Sequence, residues 1–89
     1  MKAVVTVVGK DQVGIIAAVC TDLASYGVNV LDISQTVMQG YFTMMMVVDM
    51  EQCKLPLADV AEQMEEKGKA RNLSIRLQRE DIFQAMHRV

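Results

Sequence analysis

The chain has 89 residues, 52% of them hydrophobic, and a formal net charge of −2, which suits one folded unit with room for one core. That balance favours neither intrinsic disorder nor a polyanion-binding surface, so nucleic acid is not an expected direct partner. Apolar runs such as Met44 to Val48 fall far short of the roughly 18 residues that cross a bilayer, and no signal-peptide cleavage pattern opens the chain, so no membrane contact and a cytoplasmic location are expected.

Lys2 to Val8 reads as a strand with apolar groups on both faces: Ala3, Val5 and Val7 on one, Val4 and Val8 on the other. Such a strand belongs in the middle of a sheet. The segment Gly9-Lys10-Asp11-Gln12-Val13-Gly14-Ile15-Ile16 follows. There Asp11 is placed to cap a helix, and Gly14 leaves backbone N–H groups that no side chain covers. From Val13 to Tyr26 the positions Ile15, Ile16, Val19, Cys20 and Leu23 form one apolar stripe at helical spacing, and Gly27 is the expected residue just past the helix end.

Val28 to Val37 predicts a strand whose phase slips, with Val28 and Val30 on one face and Leu31, Ile33 and Val37 on the other. A bulge near Val30 reconciles them. Gln39-Gly40 is a tight-turn pair leading into Tyr41 to Met50, so the second and third strands should form a hairpin. Phe42, Met44, Met46 and Val48 share one face of the third strand; Met45 and Val47 share the opposite one. Leu55 to Lys69 predicts a second helix with Pro56 near its first turn, an apolar stripe of Leu57, Val60, Ala61 and Met64, and Asp59, Glu62, Glu65 and Glu66 facing out. Leu73, Ile75 and Leu77 alternate with Ser74, Arg76 and Gln78, as in an edge strand with one wet face. Ile82, Phe83 and Met86 then suggest a short C-terminal helix.

The expected fold is therefore α+β: a ferredoxin-like βαββαβ sandwich, its antiparallel sheet in the order 4-1-3-2 with both helices on one face. Apolar side chains are then left on the other face, with Val4, Val8, Met45 and Val47 or their opposite-face equivalents pointing away from the helices. Burying each contributes about 1.5 to 3 kcal/mol, so a second subunit is the economical cover and a homodimer is expected.

The chemistry-bearing residues point to binding. Helix-opening N–H groups suit an amino-acid carboxylate, and Asp11 or the Asn29 carbonyl oxygen is available to an α-amino group. The blander alternative leaves Asp11 as a cap, Gly14 as a relief of crowding and Asn29 as support for a turn. Met44, Met45 and Met46 alternate faces and cannot converge on a soft metal; they suit a core and an adaptable contact surface. Cys20 and Cys53 form no CxxC, His87 has no carboxylate at triad spacing, and Glu62, Glu65 and Glu66 lie on a solvated helix surface. No catalytic residue, metal ligand or cofactor is expected. A phosphate-holding arginine is missing from the first loop, aromatic residues from strand one, and cysteines from Gly9 to Gly14. Those three observations argue against an acylphosphatase-like hydrolase, an RNA-recognition module and a metal chaperone of the same topology.

The run Val4 to Val8, then Asp11-x-x-Gly14-Ile15, then Tyr26-Gly27-Val28-Asn29-Val30 and Ile33, resembles the signature of the ACT domain, a regulatory module that binds amino acids. Asp32 to Thr36, Tyr41 to Met45 and Ile82-Phe83-x-Ala85-Met86 are similar, more narrowly, to the small stand-alone ACT proteins related to the glycine-cleavage repressor. The resemblance implies a single ACT-like regulatory domain over residues 1–89, pairing with a second copy through sheets or helices. It places a ligand between the first loop, Asp11, Gln12, Val13, Gly14 and Ile15, and the start of strand two, Asn29 and Val30. At Gln12-Val13 the chain departs from the commoner pattern of a basic or polar residue followed by Pro. The expected function is a non-enzymatic, homodimeric sensor of a small metabolite, an amino acid above all, that reports to a protein partner. The alternative is a protein–protein interaction module with no small-molecule ligand.

Overall fold

The computed structural model describes residues 1–81. Its elements run β1 (Lys2–Lys10), α1 (Ile15–Ser25), β2 (Asn29–Met38), β3 (Tyr41–Asp49), α2 (Leu57–Ala70) and β4 (Leu73–Arg79). The sheet order β2-β3-β1-β4, all neighbours antiparallel, is the expected 4-1-3-2 arrangement read from the other edge. The C-terminal helix expected from Ile82, Phe83 and Met86 lies outside the described residues.

Alternation along each strand decides which residues make the core. Ala3, Val5 and Val7 of β1, Phe42, Met44, Met46 and Val48 of β3, and Leu73, Ile75 and Leu77 of β4 are all buried. They meet Ile15, Val19 and Leu23 of α1 and Val60 and Met64 of α2 in one cluster. The opposite sheet face carries Val4, Met45 and Val47, which with Asp32 and Ser34 line an apolar hollow of about 220 Å³.

The phase slip in β2 is a bulge. Val30 pairs with Val48 and Asp32 with Val47, so Leu31 is the extra residue, and Ile33 and Val37 fall on the helix side opposite Met46 and Phe42. Gln39 (φ 52°) and Gly40 (φ 81°) make the turn whose twist suits a two-residue hairpin. At the end of α1, the Val28 N–H donates to Leu23 O and the Gly27 N–H to Ala24 O, both at 3.0 Å. Those two bonds with Gly27 at φ 81° form a Schellman closure, and buried Val28 and Leu23 supply its apolar contact.

Three expectations about α1 are corrected. The helix starts at Ile15 rather than Val13, and Asp11 does not cap it: Gly14, at φ 86°, occupies the N-cap with no side-chain cap bond. A left-handed glycine turns the chain directly into the helix, which leaves Asp11 outside it. Ile16, expected on the buried stripe, sits at its margin and is 36% exposed. The second helix begins at Leu57 because Pro56, with ψ 149°, is still extended.

Candidate functional site

Three connections converge at one end of the sheet: the β1–α1 loop, the β2–β3 turn and the α2–β4 turn. β1 leaves the sheet at Lys10, paired with Tyr41. The loop is then held on both flanks. The Asp11 N–H donates to Gly40 O at 2.8 Å, and the Gln12 side-chain amide donates through Nε2 to Arg71 O at 3.0 Å.

Between these anchors the loop is open. Val13 is fully exposed. A Cβ on Gly14 would find nothing within 4 Å among the described residues. The first bond of α1 runs from the Ala18 N–H to Gly14 O at 2.9 Å, which leaves the Ile15, Ile16 and Ala17 N–H groups without an acceptor in the helix. Such donors, at the positive end of the helix dipole, suit an anion such as a carboxylate. The Asp11 carboxylate is exposed and makes no hydrogen bond or ion pair among the described residues, so it is available to a cationic group.

Within one chain the seven candidate residues form two groups. Asp11, Gln12, Val13, Gly14 and Ile15 stand at the Lys10 end of the sheet. Asn29 pairs with Asp49, which pairs with Lys2 at the far end. The strand between them spans roughly 26 Å at about 3.3 Å per residue. Asn29 is exposed and Val30 half-buried against the core.

Arg71 and Asp22 are the residues that sequence reasoning missed. The Arg71 guanidinium donates to the Asp22 carboxylate at 2.8 Å, and Lys67 approaches the other Asp22 oxygen at 3.7 Å. Lys67 also lies 4.8 Å from the centre of the Tyr26 ring, whose hydroxyl donates to Gln63. Hydrogen bonding to the Tyr26 side chain, with the Asp22 charge behind it, holds the Lys67 pKa above its ordinary 10.5. The loop and α2 are remote in sequence, and no local pattern signals the bond between them.

The most pronounced hollows lie elsewhere, and none of them is lined by a candidate residue. One of about 540 Å³ lies between α2 and the β4 edge, beside Glu65, Lys69 and Arg76. Among the described residues no group of three His, Cys, Asp or Glu side chains could hold a metal ion, and no helix is long and apolar enough to cross a membrane. Both cysteines are free thiols packed against the core.

Comparison with known proteins fits this geometry. A family model described as the ACT domain matches residues 2–78. A UPF0237 protein of Clostridium acetobutylicum is 51% identical over 89 residues, covering both chains completely. The solved structure of an ACT domain protein from Streptococcus pneumoniae is 45% identical and covers 98% of each chain, with a TM-score of 0.83. A structure assigned as a glycine cleavage system transcriptional repressor shares the fold at 23% identity and TM-score 0.73, over 86% of this chain and 44% of that one. The chain belongs to the ACT domain family, whose fold is a regulatory, ligand-binding one.

Proposed function

We propose that this protein is a non-enzymatic sensor of a small zwitterionic metabolite, an amino acid above all, acting in the cytoplasm as a homodimeric single-domain regulator of a protein partner. The observation that carries the reading is the opening at Gly14, where a Cβ would meet nothing within 4 Å among the described residues and the next three amides have no acceptor in the helix. The Asp11 carboxylate beside them complements an α-amino group.

The division of the candidate residues supports a second copy as part of the site. β2 is an edge strand with no fully buried residue, and Leu31, Ile33, Val37 and Met38 along it are 43 to 70% exposed. Ile33 and Val37 lie on the helix side, and Ile16 of α1 is exposed on that same side. The β4 edge instead places Ser74 and Arg76 in solvent and buries its apolar residues, as a protected edge does. Two-fold pairing of β2 with the β2 of a second copy makes the strands antiparallel and continues the sheet. It sets the Asn29 end of one strand beside the Met38 end of the other, the end that carries the loop. The loop of one chain then faces the partner subunit's Asn29 and Val30, and each pair of chains holds two such sites. Completing the burial of Ile33 and Val37 contributes about 1 kcal/mol each.

The test is thermal unfolding of the purified protein against the twenty amino acids, with its mass followed by light scattering. A ligand at 100 times its Kd adds about 2.7 kcal/mol. For a domain of this size that raises Tm by roughly 10 to 20 °C. A dimer whose midpoint no amino acid moves is the result that supports the second reading, an interaction module without a small-molecule ligand. The exposed Met38 and Tyr41 at the hairpin tip favour that alternative.

A further inference from the structure

Gln12 stands in the middle of the candidate ligand loop, yet its side-chain amide is turned away to a carbonyl 59 residues further along the chain. The bond, Gln12 Nε2 to Arg71 O, measures 3.0 Å. The acceptor lies in the α2–β4 turn, where Arg71 ends α2 and Asn72 takes a left-handed φ of 60°. That turn comes close to the loop because Gly9 faces Leu73 across the β1–β4 pair. A Cβ there would stand 2.6 Å from Leu73 Cδ2 and 3.1 Å from Asn72 O.

Arg71 continues the contact. Its carbonyl accepts from the loop, and its guanidinium reaches Asp22 on α1 at 2.8 Å, with the Asp22 side chain 14% exposed and Lys67 on its other oxygen. A single residue thus ties the loop that opens α1 to the interior of α1 and to the end of α2.

We propose that Gln12 is a positioning residue rather than a ligand contact, and that Gln12, Arg71 and Asp22 form a strap that sets the loop's order from the interface between the helices. On the reading of the loop as a ligand cradle, the strap makes the site responsive to events at α2: a partner that shifts the α2–β4 turn loosens or tightens the amides that would hold the ligand. The coupling is reciprocal, as linkage requires. A chain of contacts alone does not establish coupling, so the test is a double-mutant cycle.

Hydrogen exchange of the Asp11 and Ala18 amides, the two that bracket the loop and are bonded to Gly40 O and Gly14 O, is measured on the ligand-free protein, so the strap stands or falls whether or not any amino acid binds. Gln12→Ala is expected to speed exchange there about fivefold, as loss of one exposed hydrogen bond would, and to leave the β1 and β3 amides unchanged. Gln12→Glu, which keeps the shape and loses the donor, behaves like Gln12→Ala. Gln12→Lys, which keeps a donor of similar reach, restores slow exchange. Asp22→Ala speeds exchange of the same two amides, and the double variant is no faster than the quicker single one. Unchanged exchange in Gln12→Ala overturns the proposal, as does failure of Gln12→Lys to rescue. Independent effects of Gln12→Ala and Asp22→Ala, their fold-changes multiplying, reduce the strap to two unrelated contacts and equally overturn it.

Discussion

Gly14 and Gly27 share a left-handed backbone, at φ 86° and 81°, but differ in what surrounds them. Among the described residues nothing approaches a Cβ on Gly14, whereas one on Gly27 would stand 2.8 Å from Gln52 O, a backbone atom with little freedom to retreat. Gly14→Ala should therefore cost only the conformational term, about 1 kcal/mol, and Gly14→Asn less, because asparagine tolerates this region. Gly27→Ala adds a backbone clash and should cost about 2 to 4 kcal/mol. Urea unfolding at equilibrium ranks the three variants. Equal losses at the two glycines would mean that crowding at Gly27 is relieved by local movement. Gly14 was legible in sequence as an opening in a helix start; its role as N-cap was not. An aspartate three residues earlier matched the usual cap, and only the backbone conformation decides between them.

At the scale of elements, the strands were legible because a residue's side of the sheet follows from period two, and β1, β3 and β4 obey it. The β2 bulge was legible for the same reason, since a phase error in a strand with a buried neighbour demands an extra residue. Helix starts were less so: Val13 continues the apolar pattern of α1, yet it stands fully exposed in the loop. The contact between α1 and α2 through Asp22, Lys67 and Arg71 was not legible, since no local spacing sets these three apart from other charged residues. Its pH dependence follows from Lys67. The lysine's pKa is raised on folding by the Tyr26 side chain and Asp22, so the contribution is complete at neutral pH and is lost only as pH rises through and beyond 10.5. Stability of the native protein should thus be insensitive to this group between pH 7 and 9 and fall above that range, with a shallower fall in Lys67→Met. Urea midpoints across pH 7 to 11.5 measure it. Parallel alkaline limbs in the two proteins would show that the lysine's shift is spent on neither folding nor helix contact.

For the whole molecule, topology is what separates the candidate residues. In a βαββαβ sheet, β1 and β2 run the same way, so the end of β1 and the start of β2 must lie at opposite ends of the sheet. Asn29 cannot meet the Gly14 cradle of its own chain. The resemblance read from Asp11-x-x-Gly14 and Asn29 brought both into one site, and the proposed two-fold through the apolar β2 edge would reconcile it with the fold. The most direct measurement of that claim mixes two defective chains, Gly14→Val and Asn29→Ala, and titrates the mixture by calorimetry with an amino acid that raises the native Tm. Each variant alone should bind nothing. Mixed dimers should regain one working site per pair, formed by the intact loop of one chain and the intact Asn29 of the other. Mixed dimers that form yet stay silent would contradict the account, as would either variant binding like the native protein.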